Sequence, residues 1–221
     1  MAEEYNELNH DEECWLPKAK DISVWHFDKW KVDKPEDVYT DVCTFDLDFT
    51  EDVKKALEHI VTTKIPDRHY EFWEELGHPF QFHYTDSTRK LKYSEYPTFK
   101  TIVEHLGLVE HPDFDIKVKL FRQKPGQFLP SHIDNFKKSN EDEVRPMAYN
   151  AKRFAVALED WDFGQYWHFG NAFWHQWKKG NCVHWHRTMA HGTANVGHSN
   201  RHTLQVTGIP SAKTEALLNK N

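Results

Sequence analysis

The stretch WKKGNCVHWHRTMAHGTANVGHSNRHTLQV, Trp177 to Val206, decides how this 221-residue chain is read. Two runs with strand character, Cys182–His186 and His202–Thr207, bracket it, with His191 just past the first. Ten residues beyond His191 stands Arg201, with Thr203 two further on, and side chains two apart in a strand share a face. Upstream, IKVKLFRQKPGQFLPS reads as a strand and a Pro125-Gly126 turn, in which Ile116, Val118 and Leu120 alternate with lysines as in a half-buried strand. Further strand candidates are Arg153–Leu158, Gln165–Phe169 and Ala172–Trp177, and glycine-containing turns separate many of them. Short strands at this spacing predict a sandwich or barrel.

Working toward the N-terminus, two short alternating runs, Asp21–Phe27 and Val38–Phe49, have strand character. The clearest helix opens at Thr50, whose hydroxyl is placed to cap it. Glu51 and Asp52 suit its dipole, Val53, Leu57, Ile60 and Val61 share one face, and Pro66 lies beyond its end. A second helix is expected over Thr98–Leu106, with Phe99, Ile102, Val103 and Leu106 on one stripe and Gly107 to stop it. The aromatic stretch from His69 to Tyr96 yields no assignment. The reading is a single domain, mainly β with flanking helices: a mixed helical support over 1–112, a barrel-like core over 113–208 and a tail over 209–221.

Composition narrows the function. The chain has 28 Lys+Arg against 35 Asp+Glu, a net charge of −7, which argues against general nucleic-acid binding, since that depends on neutralising phosphates. No apolar run approaches the roughly 18 residues of a membrane span. The acidic start MAEEYNELNHDEE has no apolar segment of a secretory signal, and the 3 cysteines have unrelated spacings, so a cytoplasmic location is expected.

Sixteen histidines invite a metal hypothesis. His132 and Asp134 are two apart in an extended segment, so imidazole and carboxylate can converge on one ion. With His191 they make two histidines and one carboxylate, the facial donor set of non-haem Fe(II) oxygenases, which leaves positions open for a co-substrate and O₂. His184 and His186 share a strand face and are a competing pair, but only His191 has Arg201 ten residues on. A guanidinium fork with the Thr203 hydroxyl beside it suits a carboxylate.

In order and spacing these residues resemble the Fe(II)/2-oxoglutarate-dependent dioxygenase superfamily, over roughly Asp115 to Gly208. The W-x-x-G turn at Trp177–Gly180 and the H-x-x-x-N at His191–Asn195 are similar to the aspartyl/asparaginyl β-hydroxylase and prolyl hydroxylase branches. Asp134 departs from β-hydroxylases that lack the carboxylate ligand, and it argues against halogenases. The resemblance implies a double-stranded β-helix (jelly-roll or cupin-like) core, iron on His132, Asp134 and His191, and 2-oxoglutarate on Arg201 with Thr203. It further implies O₂ as oxidant and a peptide, amino-acid side chain or small molecule as the hydroxylated substrate. Arg153, Asn195, His184, His186 and Trp167 are candidates for supporting or substrate contacts, Asn195 chiefly as a brace for the loop after His191. The acidic run at 140–143 is a candidate lid. The competing reading is a cupin-like metal protein, a hydrolase, isomerase or ligand-binding module, with no use for 2-oxoglutarate.

Overall fold

The computed structural model describes residues 39–64, 83–132, 150–170, 172–186 and 189–219, with the backbone alone at 62–64, 83–84, 130 and 132. The strand candidate at 21–27, Asp134 and the run at 140–143 lie outside the described residues. Strands β1 (Thr40–Thr44), β2 (Ile60–Lys64), β3 (His83–Thr88) and β4 (Leu108–Val109) interleave with helices α1 (Thr50–Leu57) and α2 (Pro97–Leu106). Then follow β5 (Lys117–Gln123), β6 (Phe128–His132), β7 (Lys152–Ala157), β8 (Gln165–Phe169), β9 (Ala172–Trp174), β10 (Asn181–Trp185), β11 (His191–Asn195) and β12 (Arg201–Pro210), with α3 (Ala212–Leu218) last.

The strands form two antiparallel sheets. The larger runs β1-β10-β7-β12-β5-β3-β2, with β4 paired to β12; the smaller runs β6-β11-β8-β9. They face one another: the Gln123 side chain of β5 donates to the Thr193 hydroxyl of β11 at 2.9 Å, and Arg201 of β12 donates to the Tyr166 carbonyl of β8 at 3.1 Å. Strands β1 to β4 from the N-terminal half thus enter the large sheet beside the two helices expected there.

The outer face of the large sheet carries Val118 and Leu120, Phe154 and Val156, and Leu204 and Val206, which join Phe99, Ile102, Val103 and Leu106 of α2 in one core cluster. Each such side chain contributes about 1.5–3 kcal/mol through burial. Helix α2 stops where expected, at Gly107, whose φ of 70° is a left-handed cap that a side chain would strain. Helix α1 differs from expectation. Thr50 is its first residue rather than its cap, and Asp48 accepts from both the Thr50 N–H and its hydroxyl. Asp52 reaches across to accept from the N–H and hydroxyl of Thr98 at the start of α2. The chain turns at Glu58 and His59, so Ile60 and Val61 continue the helical spacing but belong to β2.

Other boundaries also shift. The candidate at 38–49 is a strand only over β1, and that at 172–177 only over β9. His191 lies in its own short strand. Next to it, Gly192 packs so tightly that an added Cβ would lie 2.5 Å from His168 Nε2 and 2.8 Å from the Leu129 carbonyl oxygen. Cys43 and Cys182, unrelated in sequence, stand opposite each other across β1 and β10 with their thiols hydrogen-bonded. No helix among the described residues is long and apolar enough to cross a membrane.

Candidate functional site

Strand alternation decides which side chains enter the space between the sheets. On β12 these are Arg201, Thr203, Gln205 and Thr207; on β5, directly opposite them, Gln123, Phe121, Lys119 and Lys117. Ala157, Ala155 and Arg153 of β7 pair with Thr203, Gln205 and Thr207, and Trp185 of β10 pairs with Arg153. From the small sheet come His191, Thr193 and Asn195 of β11, opposite Phe169, Trp167 and Gln165 of β8.

His191 is 3% exposed, with its ring 5.1 Å from Trp185 and stacked at 6.2 Å on Phe169. Its Nδ1 lies 2.9 Å from the Met189 carbonyl, which can only accept. Nδ1 therefore carries the proton and Nε2 the lone pair, the tautomer of a histidine that ligates a metal through Nε2. Across β11 and β6 the residue directly opposite His191 is His132. Residues so paired in an antiparallel ladder stand on the same face. The register thus brings two of the three expected ligand positions together. Asp134 and the His132 side chain lie outside what is described, and among the described residues no group of three His, Cys, Asp or Glu side chains is assembled for a metal. The donor types nonetheless fit a divalent iron ion: imidazole nitrogens at paired positions, one of them with its tautomer fixed.

Arg201 is 4% exposed and sits between Trp167 and Trp177, its guanidinium 5.5 and 6.0 Å from their ring centroids. Its hydrogen bond is to a neutral carbonyl, that of Tyr166. Burial pulls its pKa down to about 9; Glu159 acts weakly in the opposite sense. Glu159 itself is held by His202, whose N–H and Nδ1 meet its two oxygens at 2.7 and 3.0 Å. Among the described residues no carboxylate lies within hydrogen-bonding reach of this guanidinium, and a buried cation with five donors is costly unless an anion joins it. Around it the indole Nε1 of Trp167 and the Oε1 atoms of Gln123 and Gln165 are buried without partners. Such orphaned groups in one region mark a place completed by something else.

The other candidates divide. Thr203 is buried on the Arg201 face. Asn195 braces the loop after β11, donating to the Gln123 and Ser199 carbonyls and accepting from the Gly197 N–H. Trp167 belongs to an aromatic cluster with Phe169, Trp174 and Trp185 between the sheets. Arg153 faces inward, its Nε 3.2 Å from the Thr207 hydroxyl. His184 is turned away from this space. Its register partner is Phe154, on the helix-covered face, and its Nδ1 donates to the Arg153 carbonyl at 2.9 Å. His186 lies past the end of β10 and is exposed, so period-two pairing with His184 does not carry through. Sequence reasoning missed Trp177 and Gln123 beside Arg201. The alternation that places Gln123 there was legible, whereas the strand pairing was not.

No protein-family model matches the chain, and no curated protein matches it in sequence. Among solved structures it is similar to SnoN, the non-haem α-ketoglutarate-dependent epimerase from nogalamycin biosynthesis: 13% identity, 77% of each chain covered, TM-score 0.54. It is also similar to the carbocyclase SnoK from nogalamycin biosynthesis, with 13% identity over 78% of this chain and 79% of that one, at a TM-score of 0.48. A third is the collagen prolyl hydroxylase of Paramecium Bursaria Chlorella virus-1 in its 2OG complex, with 12% identity, 77% and 95% covered and a TM-score of 0.45. Identities this low speak to fold. The chain is a double-stranded β-helix protein, mainly β with flanking helices.

Proposed function

We propose that this chain is an Fe(II)- and 2-oxoglutarate-dependent dioxygenase that hydroxylates a peptide, amino-acid side chain or small molecule, R–H + 2-oxoglutarate + O₂ → R–OH + succinate + CO₂. The observation that carries the reading is Arg201: a buried guanidinium held by two indoles and one carbonyl, on the sheet facing His191. A cupin-like metal protein without 2-oxoglutarate gives that residue no task. His132, Asp134 and His191 would hold the iron, which when bound supplies the activation of O₂. Arg201 takes the distal carboxylate of 2-oxoglutarate, with the Thr203 hydroxyl beside it. Trp185, Phe169 and Trp167 exclude water from the space between the sheets, which strengthens that ion pair. The Met189 carbonyl holds His191 in one tautomer and orientation.

Anaerobic addition of Fe(II) and 2-oxoglutarate should produce a weak visible charge-transfer band, lost in His132→Ala and His191→Ala. Arg201→Ala should keep metal binding and weaken 2-oxoglutarate binding about tenfold or more, because a charge-assisted hydrogen bond contributes ~1.5–3 kcal/mol. Arg201→Lys should recover part of the loss, since an ammonium keeps the charge without the fork. Equal 2-oxoglutarate affinity in wild type and Arg201→Ala, or none in either, replaces this reading with the metal-cupin one.

A further inference from the structure

Among the described residues, strand β1 lies at the edge of the large sheet and is held there by one ladder, to β10. An edge strand is anchored on one side only. This ladder is also irregular. Asp41 pairs with Val183 and Cys43 with Cys182, so Val42 is an extra residue that makes a bulge. Two contacts fix the register beyond the bulge. The Asn181 side chain donates to the Thr44 hydroxyl at 2.8 Å, and the Phe45 N–H donates to the Gly180 carbonyl at 2.9 Å. Cys43 and Cys182 are therefore held opposite each other. The strand also matters to the space between the sheets. Tyr39, immediately before it, sets its ring 5.2 Å from Phe169 and packs against the aromatic cluster there.

Facing residues of an antiparallel ladder have Cα atoms about 4.5 or 5.5 Å apart, according to the kind of pair. A disulfide needs about 4.4–6.8 Å. Either spacing serves, and the two thiols already meet through a hydrogen bond. Both cysteines are free, and their surroundings differ. Cys182 is 1% exposed, and burial pushes its thiol pKa well up. Cys43 is half-buried, and its hydrogen bond with Cys182 holds its pKa below the ordinary thiol value, against a smaller opposing effect of burial. An accessible thiol that ionises readily thus stands in front of a buried one.

We propose that Cys43 and Cys182 are a redox modification site, which a hydroperoxide converts to a reversible disulfide that clasps β1 to β10. The Cys43 thiolate attacks one peroxide oxygen and the O–O bond breaks. The hydroxide that leaves takes up the proton Cys43 gave away and becomes water. The Cys182 sulfur then attacks the Cys43 sulfenic acid, and its S–H proton joins the departing hydroxide as a second water. The sum is 2 R–SH + H₂O₂ → R–S–S–R + 2 H₂O, with both sulfurs oxidised and the peroxide reduced. Cys43 is half-buried on an edge strand, so the bond stays within reach of a thiol reductant. The site stands whether or not the chain uses 2-oxoglutarate.

Reduced protein is treated with hydrogen peroxide, in wild type, Cys14→Ser, Cys43→Ser and Cys182→Ala. Wild type and Cys14→Ser should lose two hydrogens by intact mass, give a Cys43–Cys182 linked peptide in a non-reducing digest, and revert with dithiothreitol. Oxidation should raise the melting temperature of both by about 5–10 °C, since a link between distant residues restricts the unfolded chain. It should also slow amide exchange in Thr40–Thr44 about tenfold or more. Without Cys182, oxidation should stop at a sulfenic acid on Cys43, captured by dimedone; without Cys43, Cys182 should stay a thiol. No disulfide in wild type, a disulfide to Cys14 or between two chains, or one that leaves melting and β1 exchange unchanged overturns the proposal, as does capture of Cys182 in place of Cys43. Melting temperatures of the reduced variants separate a lost thiol from a lost fold.

Discussion

The two ends of the inner face are built on opposite terms. At one end Arg201, Gln123, Thr203 and Asn195 are all buried, and the loop after β11 is tied down by Asn195 and by the Gln165 side chain, which donates to the Ser199 hydroxyl. At the other, Lys119, Gln205 and Arg153 are half-buried and Lys117 is exposed. The closed end holds its charge dry, where an ion pair is strong and an empty site is costly. The open end leaves Lys117 exposed and Lys119 only half-buried, so charge there costs the fold less. The two ends thus differ in what their charges demand of the fold.

The largest effect should come from the closed end. Arg201→Met ought to abolish 2-oxoglutarate binding while leaving the ligand-free protein as stable or more so, by up to about 1–4 kcal/mol, as when buried charges are replaced by apolar groups. Denaturant melts would read this, and a clear loss of stability would mean that Arg201 is already compensated in the empty protein. Gly192→Ala tests the packing behind His191, on the other face of β11: the added methyl should cost about 1–3 kcal/mol by overpacking against His168 and the Leu129 carbonyl and impair metal binding at His191. A stable variant with an intact metal site would mean that β6 and β8 yield more easily than their spacing implies.

A smaller effect belongs to the outer face. Burial pushes the pKa of His184 down to about 4 from an ordinary 6.5. Between those values the unfolded chain binds a proton that the folded one refuses, so this contribution is complete above pH 6.5 and is lost as pH falls toward 4. Melts across that window should be steeper in wild type than in His184→Gln; identical slopes would remove His184 from the account. The smallest change should be Lys119→Gln, expected within about 0.5 kcal/mol of wild type. A large loss would show that the open end is structural after all, erasing the contrast.

Much of this was legible along the chain. The stripe on α2, its stop at Gly107 and the alternation of β5 are local patterns, and local patterns survive folding because the faces they create are the ones that become buried. The spacing of His132, Asp134, His191 and Arg201 was equally readable. Pairing was not. Nothing in HGTAN marks β11 as a strand, since small residues have little strand preference of their own; its conformation is imposed by β6 and β8 on either side. The same pairing turns Lys117 and Lys119 inward, where a strand read alone would send lysines to solvent. Cys43 meets Cys182 only because β1 joins β10, and α1 ends early because the chain turns at Glu58, although Ile60 and Val61 keep the helical period.

The slot beside Gly192 also bears on how the chain finds one register among several. Sliding β11 by one residue against β6 and β8 would bring a side chain to the place where an added Cβ already lies 2.8 Å from a backbone oxygen. It would also send His191 to the opposite face, away from the position across from His132. A glycine at this point therefore acts as a pin on strand alignment. The misaligned sheet is excluded by steric overlap, and positions 132 and 191 come to stand opposite each other as a consequence of strand pairing alone.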